Sequence, residues 1–153
     1  MVPSLIILAL IMPTGVLSKN LTVQSQSSQG PQVNITIDDA YYSDLNNDGL
    51  EMDVFARVSL VFNGANRYNM QYYITLTLPS GISWTYGYLI NTRLDSIHLD
   101  NYFYNHAVEQ GNYEITVQLV LKTCGVIYAD ASHIFDPPGG ETRPPTAFDL
   151  AVW

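Results

Sequence analysis

Apolar residues recur at every second position from Tyr68 to Leu78. Tyr68, Met70, Tyr72, Ile74, Leu76 and Leu78 share one phase, and Asn69, Gln71, Tyr73, Thr75 and Thr77 share the other. Successive side chains of a strand point to opposite faces, so this pattern builds a half-buried β-strand. A helix would need its apolar residues every three or four positions. The same period returns in Val33, Ile35 and Ile37; in Val54 through Phe62; in Ile82, Trp84, Tyr86, Tyr88 and Ile90; and in Tyr113 through Leu121. Val126–Phe135 reads as a last strand, and residues 93–107 as one or two short ones with less regular alternation. Asn63-Gly64, Pro79-Ser80-Gly81, Gln110-Gly111-Asn112 and Thr123-Cys124-Gly125 are turn-forming stretches between these runs. Asp136-Pro137-Pro138 ends the series, because proline cannot donate to a strand ladder. No helical period of any length appears. The expectation is an all-β fold, an antiparallel sandwich of about seven strands over residues 33–136.

Length and charge bound the rest. The 153 residues suit one domain, and the net charge of −8 opposes nucleic-acid binding, which needs a basic face. The one cysteine, Cys124, excludes an intrachain disulfide and reads as a small buried residue, with an interchain disulfide as the alternative. Residues 1–18 contain the apolar run Leu5–Met12, too short to span a bilayer. The run fits a secretory signal peptide with Val16-Leu17-Ser18 near the cleavage point, although no Lys or Arg precedes it. The alternative is an apolar N-terminal strand that is retained. Residues 19–32 read as a polar linker and residues 137–153 as a Pro/Gly-rich linker with a short tail. The tail is too short for a transmembrane anchor. Its alternating Phe148, Leu150 and Val152 suit addition to a neighbouring sheet edge, hence self-association by a terminal strand, or else a disordered end. Asn20 and Asn34 stand in N-x-T triplets and are candidate glycosylation sites. A secreted, extracellular protein is expected.

One stretch carries metal chemistry. Asp44, Asn46 and Asp48 place oxygen-bearing side chains at alternate positions before Gly49, as a short calcium loop requires. The carbonyl of Leu50 would be the next ligand, with Glu51 or Asp53 as the closing carboxylate. The EF-hand's twelfth position falls on Phe55, so this is not an EF-hand. Asp38, Asp39, Asp44, Asp48, Glu51 and Asp53 crowd one region, with no Lys or Arg between Lys19 and Arg57. Such crowding favours a bound cation. The candidate cofactor is therefore Ca2+, and the plain alternative is an ordinary Asn/Asp/Gly turn.

Asp44–Gly49 resembles the D-x-[DN]-x-D-G calcium loops of dockerin-type and thrombospondin-type repeats and of secreted prokaryotic β-domains. Gly111-Asn112-Tyr113-Glu114-Ile115-Thr116-Val117 resembles the G-x-Y-x-[IV]-x-V opening of the penultimate strand in immunoglobulin-like sandwiches of the fibronectin type III and PKD kind. That resemblance extends loosely over residues 33–136 and implies a tyrosine corner, in which the Tyr113 hydroxyl bonds nearby backbone. The Cys and Trp pattern of antibody domains is missing. The whole chain is similar to Ig-like domains of prokaryotic cell-surface proteins, archaeal ones included. This implies an adhesive, surface-layer or spacer role toward a protein or glycan partner.

Catalytic patterns are absent from the sequence. His98, His106 and His133 lack metal-ligand spacing, no G-x-S-x-G elbow occurs, and nothing links Cys124 to a base, so no enzyme is expected. Trp84, Tyr86 and Tyr88 share one strand face. Exposed, they would form a stacking platform for sugar rings, as in carbohydrate-binding modules. Buried, they are core, and Ile82 and Ile90 on the same face favour core. Tyr41, Tyr42, Tyr73 and Tyr102–Tyr104 are further candidates for contact with a protein or glycan.

Overall fold

The computed structural model describes residues 8–10, 31–123, 127–135 and 147–153. The chain folds as an all-β antiparallel sandwich. Its strands are β1 (Leu8–Leu10), β2 (Gln32–Ser43), β3 (Asp53–Asn63), β4 (Tyr68–Thr77), β5 (Ser83–Thr92), β6 (Ser96–Tyr104), β7 (Tyr113–Leu121), β8 (Ile127–Phe135) and β9 (Ala147–Val152). One sheet has the order β1-β5-β4-β7-β8 and the other β2-β3-β6-β9. The less regular stretch 93–107 makes a single strand, β6, rather than two.

The alternating residues meet between the sheets, as the period required. Val54, Ala56, Val58, Leu60 and Phe62 of β3 pack with Tyr68, Met70, Tyr72, Ile74 and Leu76 of β4, and Tyr113 through Leu121 of β7 complete the core. Burying each large side chain contributes about 1.5–3 kcal/mol. One polar pair crosses this core. The Tyr72 hydroxyl donates to Asn101 Oδ1 at 3.2 Å, and Asn101 Nδ2 donates to the carbonyls of Ala56 and Leu99, both at 3.0 Å. Burial pushes the Tyr72 hydroxyl pKa up, so it stays a donor.

Along the described strands the chain changes sheet between β1 and β2, β3 and β4, β5 and β6, β6 and β7, and β8 and β9. At the crossing between β6 and β7 the Tyr113 hydroxyl donates to the Glu109 carbonyl at 2.9 Å and accepts from the Glu109 amide at 2.7 Å. This is a tyrosine corner, and with the strand order it is consistent with an immunoglobulin-like sandwich. Gly111 makes the turn possible at φ 119°, where a Cβ would also press on Pro79 at 3.2 Å.

Two elements lie beyond the expected limits of the sandwich. β9 pairs antiparallel with β6, from Phe148 opposite Phe103 to Val152 opposite Leu99. Its half-buried Phe148, Leu150 and Val152 pack against the core, so the tail completes this chain's own sheet. β1, within the apolar N-terminal run, pairs with β5. Cys124, Asn20 and the 19–30 part of the polar linker lie outside the described residues. Asn34 is exposed on β2, where a glycan would meet no buried surroundings.

Candidate interaction face

Strand β2 does not keep one phase. Val33, Ile35 and Ile37 turn inward against Phe62, Leu60 and Val58, and a bulge then intervenes between Ile37 and Asp39. Beyond it Ala40 and Tyr42 turn inward, and Tyr41 is carried to the outer face opposite Phe55. An extra residue in one strand re-aims the side chains that follow. Without the bulge Tyr41 would enter the core.

Tyr41 then heads a row of rings across the outer face of β2, β3 and β6. Its ring lies 4.9 Å from Phe55, and Phe55 meets Tyr102 edge-on at 5.4 Å. Tyr104 stacks parallel to Tyr102 at 6.3 Å. Beside this row the Arg57 guanidinium lies 5.5 Å from the Phe55 ring centre and 5.1 Å from that of Trp153. Arg57 Nε and Nη2 donate to the two oxygens of Asp100 at 2.7 and 2.9 Å, and Trp153 Nε1 donates to Asp100 Oδ2 at 3.0 Å. The fork of Arg57 holds the Asp100 carboxyl below the usual range, and the Trp153 bond adds to this. Asp100 holds the Arg57 guanidinium above its ordinary value. Trp153 is fixed further by paired backbone bonds to His98 and by stacking on the His98 ring at 4.4 Å. The face thus carries a positioned cation between aromatic rings, with Tyr41 40% and Trp153 58% exposed. Tyrosine, tryptophan and arginine are the residues that dominate binding surfaces. The outer face of the other sheet is mixed: Gln71, Thr75, Thr77, Thr85, Thr116 and Gln118 share it with Tyr73, Leu89, Tyr128 and Ile134. Tyr128 and Ile134 are largely exposed, but among the described residues no ion pair fixes these side chains in a cluster.

A serine, a histidine and an aspartate meet on the same face, but in the wrong order for nucleophilic catalysis. The Ser59 hydroxyl lies between them, bonded to Asp38 Oδ2 and 2.8 Å from His98 Nδ1. A catalytic triad needs the imidazole in the middle, so that it takes the serine proton while the carboxylate orients it.

The acidic turn closes on itself. Asp44 accepts from the amides of Asp48 (3.0 Å) and Gly49 (2.9 Å), Asn46 Oδ1 from that of Asp48 (2.9 Å), and Asp48 Oδ1 from that of Leu50 (3.0 Å). Asp53, a candidate closing carboxylate, turns inward and is fully buried. It accepts from the amides of Leu45 (2.8 Å), Asn46 (3.1 Å) and Asn105 (2.8 Å), tying the turn to the end of β6. Glu51 is exposed and Leu50 half-buried. Among the described residues no group of three or more His, Cys, Asp or Glu side chains is arranged to hold a metal ion.

Trp84, Tyr86 and Tyr88 are half-buried and packed against the core. Tyr86 stacks on Phe148 at 4.1 Å with rings nearly parallel, and Tyr88 lies 5.9 Å from the same ring. Trp84 meets His106 edge-on at 4.9 Å. Burial pushes the Tyr88 hydroxyl up to about 12. These rings are engaged with the rest of the sandwich.

The sequence already marked Tyr41 and Tyr102–Tyr104. It missed Phe55, Arg57, Asp100 and Trp153. The available signal was Phe55, an aromatic in the solvent-facing phase of β3. The meeting of Arg57 with Trp153 had no local signal, because it depends on β9 joining β6. No protein family, no curated protein and no solved structure matches this chain.

Proposed function

We propose that the chain is a secreted, immunoglobulin-like binding module of the fibronectin type III kind, with an adhesive or structural role at the cell surface. Contact with its partner is made through the outer face of β2-β3-β6-β9. The observation that carries this reading is Arg57, held by Asp100 between Phe55 and Trp153 on a face that also exposes Tyr41. A cation already paired and stacked loses little conformational freedom on binding, which favours its use as an anchor. The strand order and the tyrosine corner at Tyr113 support the fold assignment. The acidic composition and the apolar run at 5–12 support secretion. Calcium is not needed in this reading, since the 44–53 turn is braced by its own amides.

The test is binding of fluorescently labelled chain to intact cells of the source organism and to an array of immobilised glycans. The paired change Arg57→Ala/Tyr41→Ala is expected to weaken binding at least tenfold while the melting curve still shows one cooperative transition. Unchanged binding by a folded double variant overturns the assignment of this face. Retention of glycans rather than cell-surface protein would identify the partner as carbohydrate.

A further inference from the structure

The two sheets end in strands that differ in how they deter unwanted pairing. An edge strand presents unpaired N–H and C=O groups, and charge, proline or a bulge usually blunts it. β2 carries Asp38, Asp39 and the bulge, β8 carries Asp130, and β9 carries Asp149. β5, with the sequence SWTYGYLINT, has no charge and no proline. It is covered instead. Leu8, Ala9 and Leu10 pair antiparallel with Leu89, Tyr88 and Gly87. Among the described residues the cover reaches the middle of this strand of 10 residues, at Gly87, Tyr88 and Leu89. Even so, Leu89 on the outer face stays 38% exposed, and inward-facing Trp84, Tyr86 and Tyr88 are half-buried.

We propose that β5 is a strand-acceptor edge guarded by β1, Leu8–Leu10, and that, once unguarded, the β5 edges of two copies pair antiparallel. Two identical strands in antiparallel register are self-complementary, the condition for a closed twofold dimer. Centred on Tyr88, the pairing would set Tyr88 opposite Tyr88 of the second copy and Tyr86 opposite its Ile90. Aromatic and aromatic–aliphatic pairs across strands are favourable ones. No charge on β5 opposes the approach. Removal of residues 1–18 as a secretory leader would be the releasing step, and that clause alone rests on the secreted reading above. The dimer face is on the opposite sheet from Arg57 and Tyr41, so the two assignments fail separately.

Light scattering on size-exclusion peaks of the full chain tests this. The unaltered chain is expected to be a monomer. Ala9→Pro removes an amide from β1 and restricts the residue before it, and should give a dimer at tens of micromolar. Leu8→Lys/Leu10→Lys releases the same guard without leaving a free apolar run, and should do likewise. Adding Leu89→Lys to either variant, at a position already exposed, should weaken the dimer at least tenfold. Faster hydrogen exchange of β5 amides will report that the guard has left. Monomers with the guard released overturn the proposal, as does a dimer insensitive to Leu89→Lys or one already formed by the unaltered chain.

Discussion

Asp53 and His106 show how single buried polar residues are made tolerable in this sandwich, and both belong to the corner where the acidic turn meets the end of β6. The Asp53 carboxylate receives three backbone amides, so it staples two connections that the strand ladders leave alone. His106 is fully buried and neutral. Its Nδ1–H donates to the Tyr104 carbonyl, and its Nε2 accepts from the Tyr86 hydroxyl, each at 2.9 Å. Burial lowers its pKa from 6.5 to about 4, against the opposing effect of the Tyr104 bond. The folded chain therefore refuses a proton that the unfolded chain accepts below pH 6.5. Stability is complete above that pH and falls as pH drops toward 4, by on the order of 3 kcal/mol. Urea midpoints measured across this range should fall in the unaltered chain. In His106→Phe the baseline should be lower but that part of the slope absent. An equal slope in both would remove His106 as its source.

Among the elements, β9 has the largest effect on the candidate face. It covers the edge of β6, brings Phe148 onto Tyr86 and Phe103, and ends with Trp153 beside Arg57. Phe148→Ala removes half-buried ring area shared by three partners, so a loss of about 2 kcal/mol is expected in chemical denaturation. Trp153 fluorescence should shift to the red before the global transition, because the strand that carries it would fray first. A single transition with no early shift would mean that the backbone ladder alone holds β9. The bulge in β2 acts in the same way at shorter range: one extra residue at Asp38 sends Tyr41 outward and keeps Tyr42 on the core side.

For the molecule as a whole, stability should come from the inter-sheet core and its polar ties rather than from a metal. Thermal melts in millimolar calcium and in EDTA should differ by less than about 2 °C, because a ligand stabilises only through a site it fits in the folded state. Asp53→Asn should lose about 3 kcal/mol or more in both media, since an amide in place of the carboxylate cannot accept all three backbone donors. A calcium-specific rise abolished by Asp48→Ala would instead assign the metal to the turn, with Asp44, Asn46 and Asp48 rearranged around it.

The alternation of Tyr68–Leu78 and its counterparts was enough to determine the class of fold, most strand positions and the inward phase of the runs, except at Ile82, which precedes β5 and is exposed. Period-two burial is a local property that a sequence displays directly. Gly111 and Tyr113 likewise marked the tyrosine corner, whose bonds span four residues. Tertiary structure alone decided three things. It joined residues 147–152 to β6, since alternation shows that a strand can pair but not with which edge. It turned Asp53 inward onto the amides of Leu45, Asn46 and Asn105, the last of them remote in sequence and out of reach of any local pattern. And it assembled Arg57, Asp100 and Trp153, far apart in sequence, into one face, because strand order places side chains together that no local pattern connects.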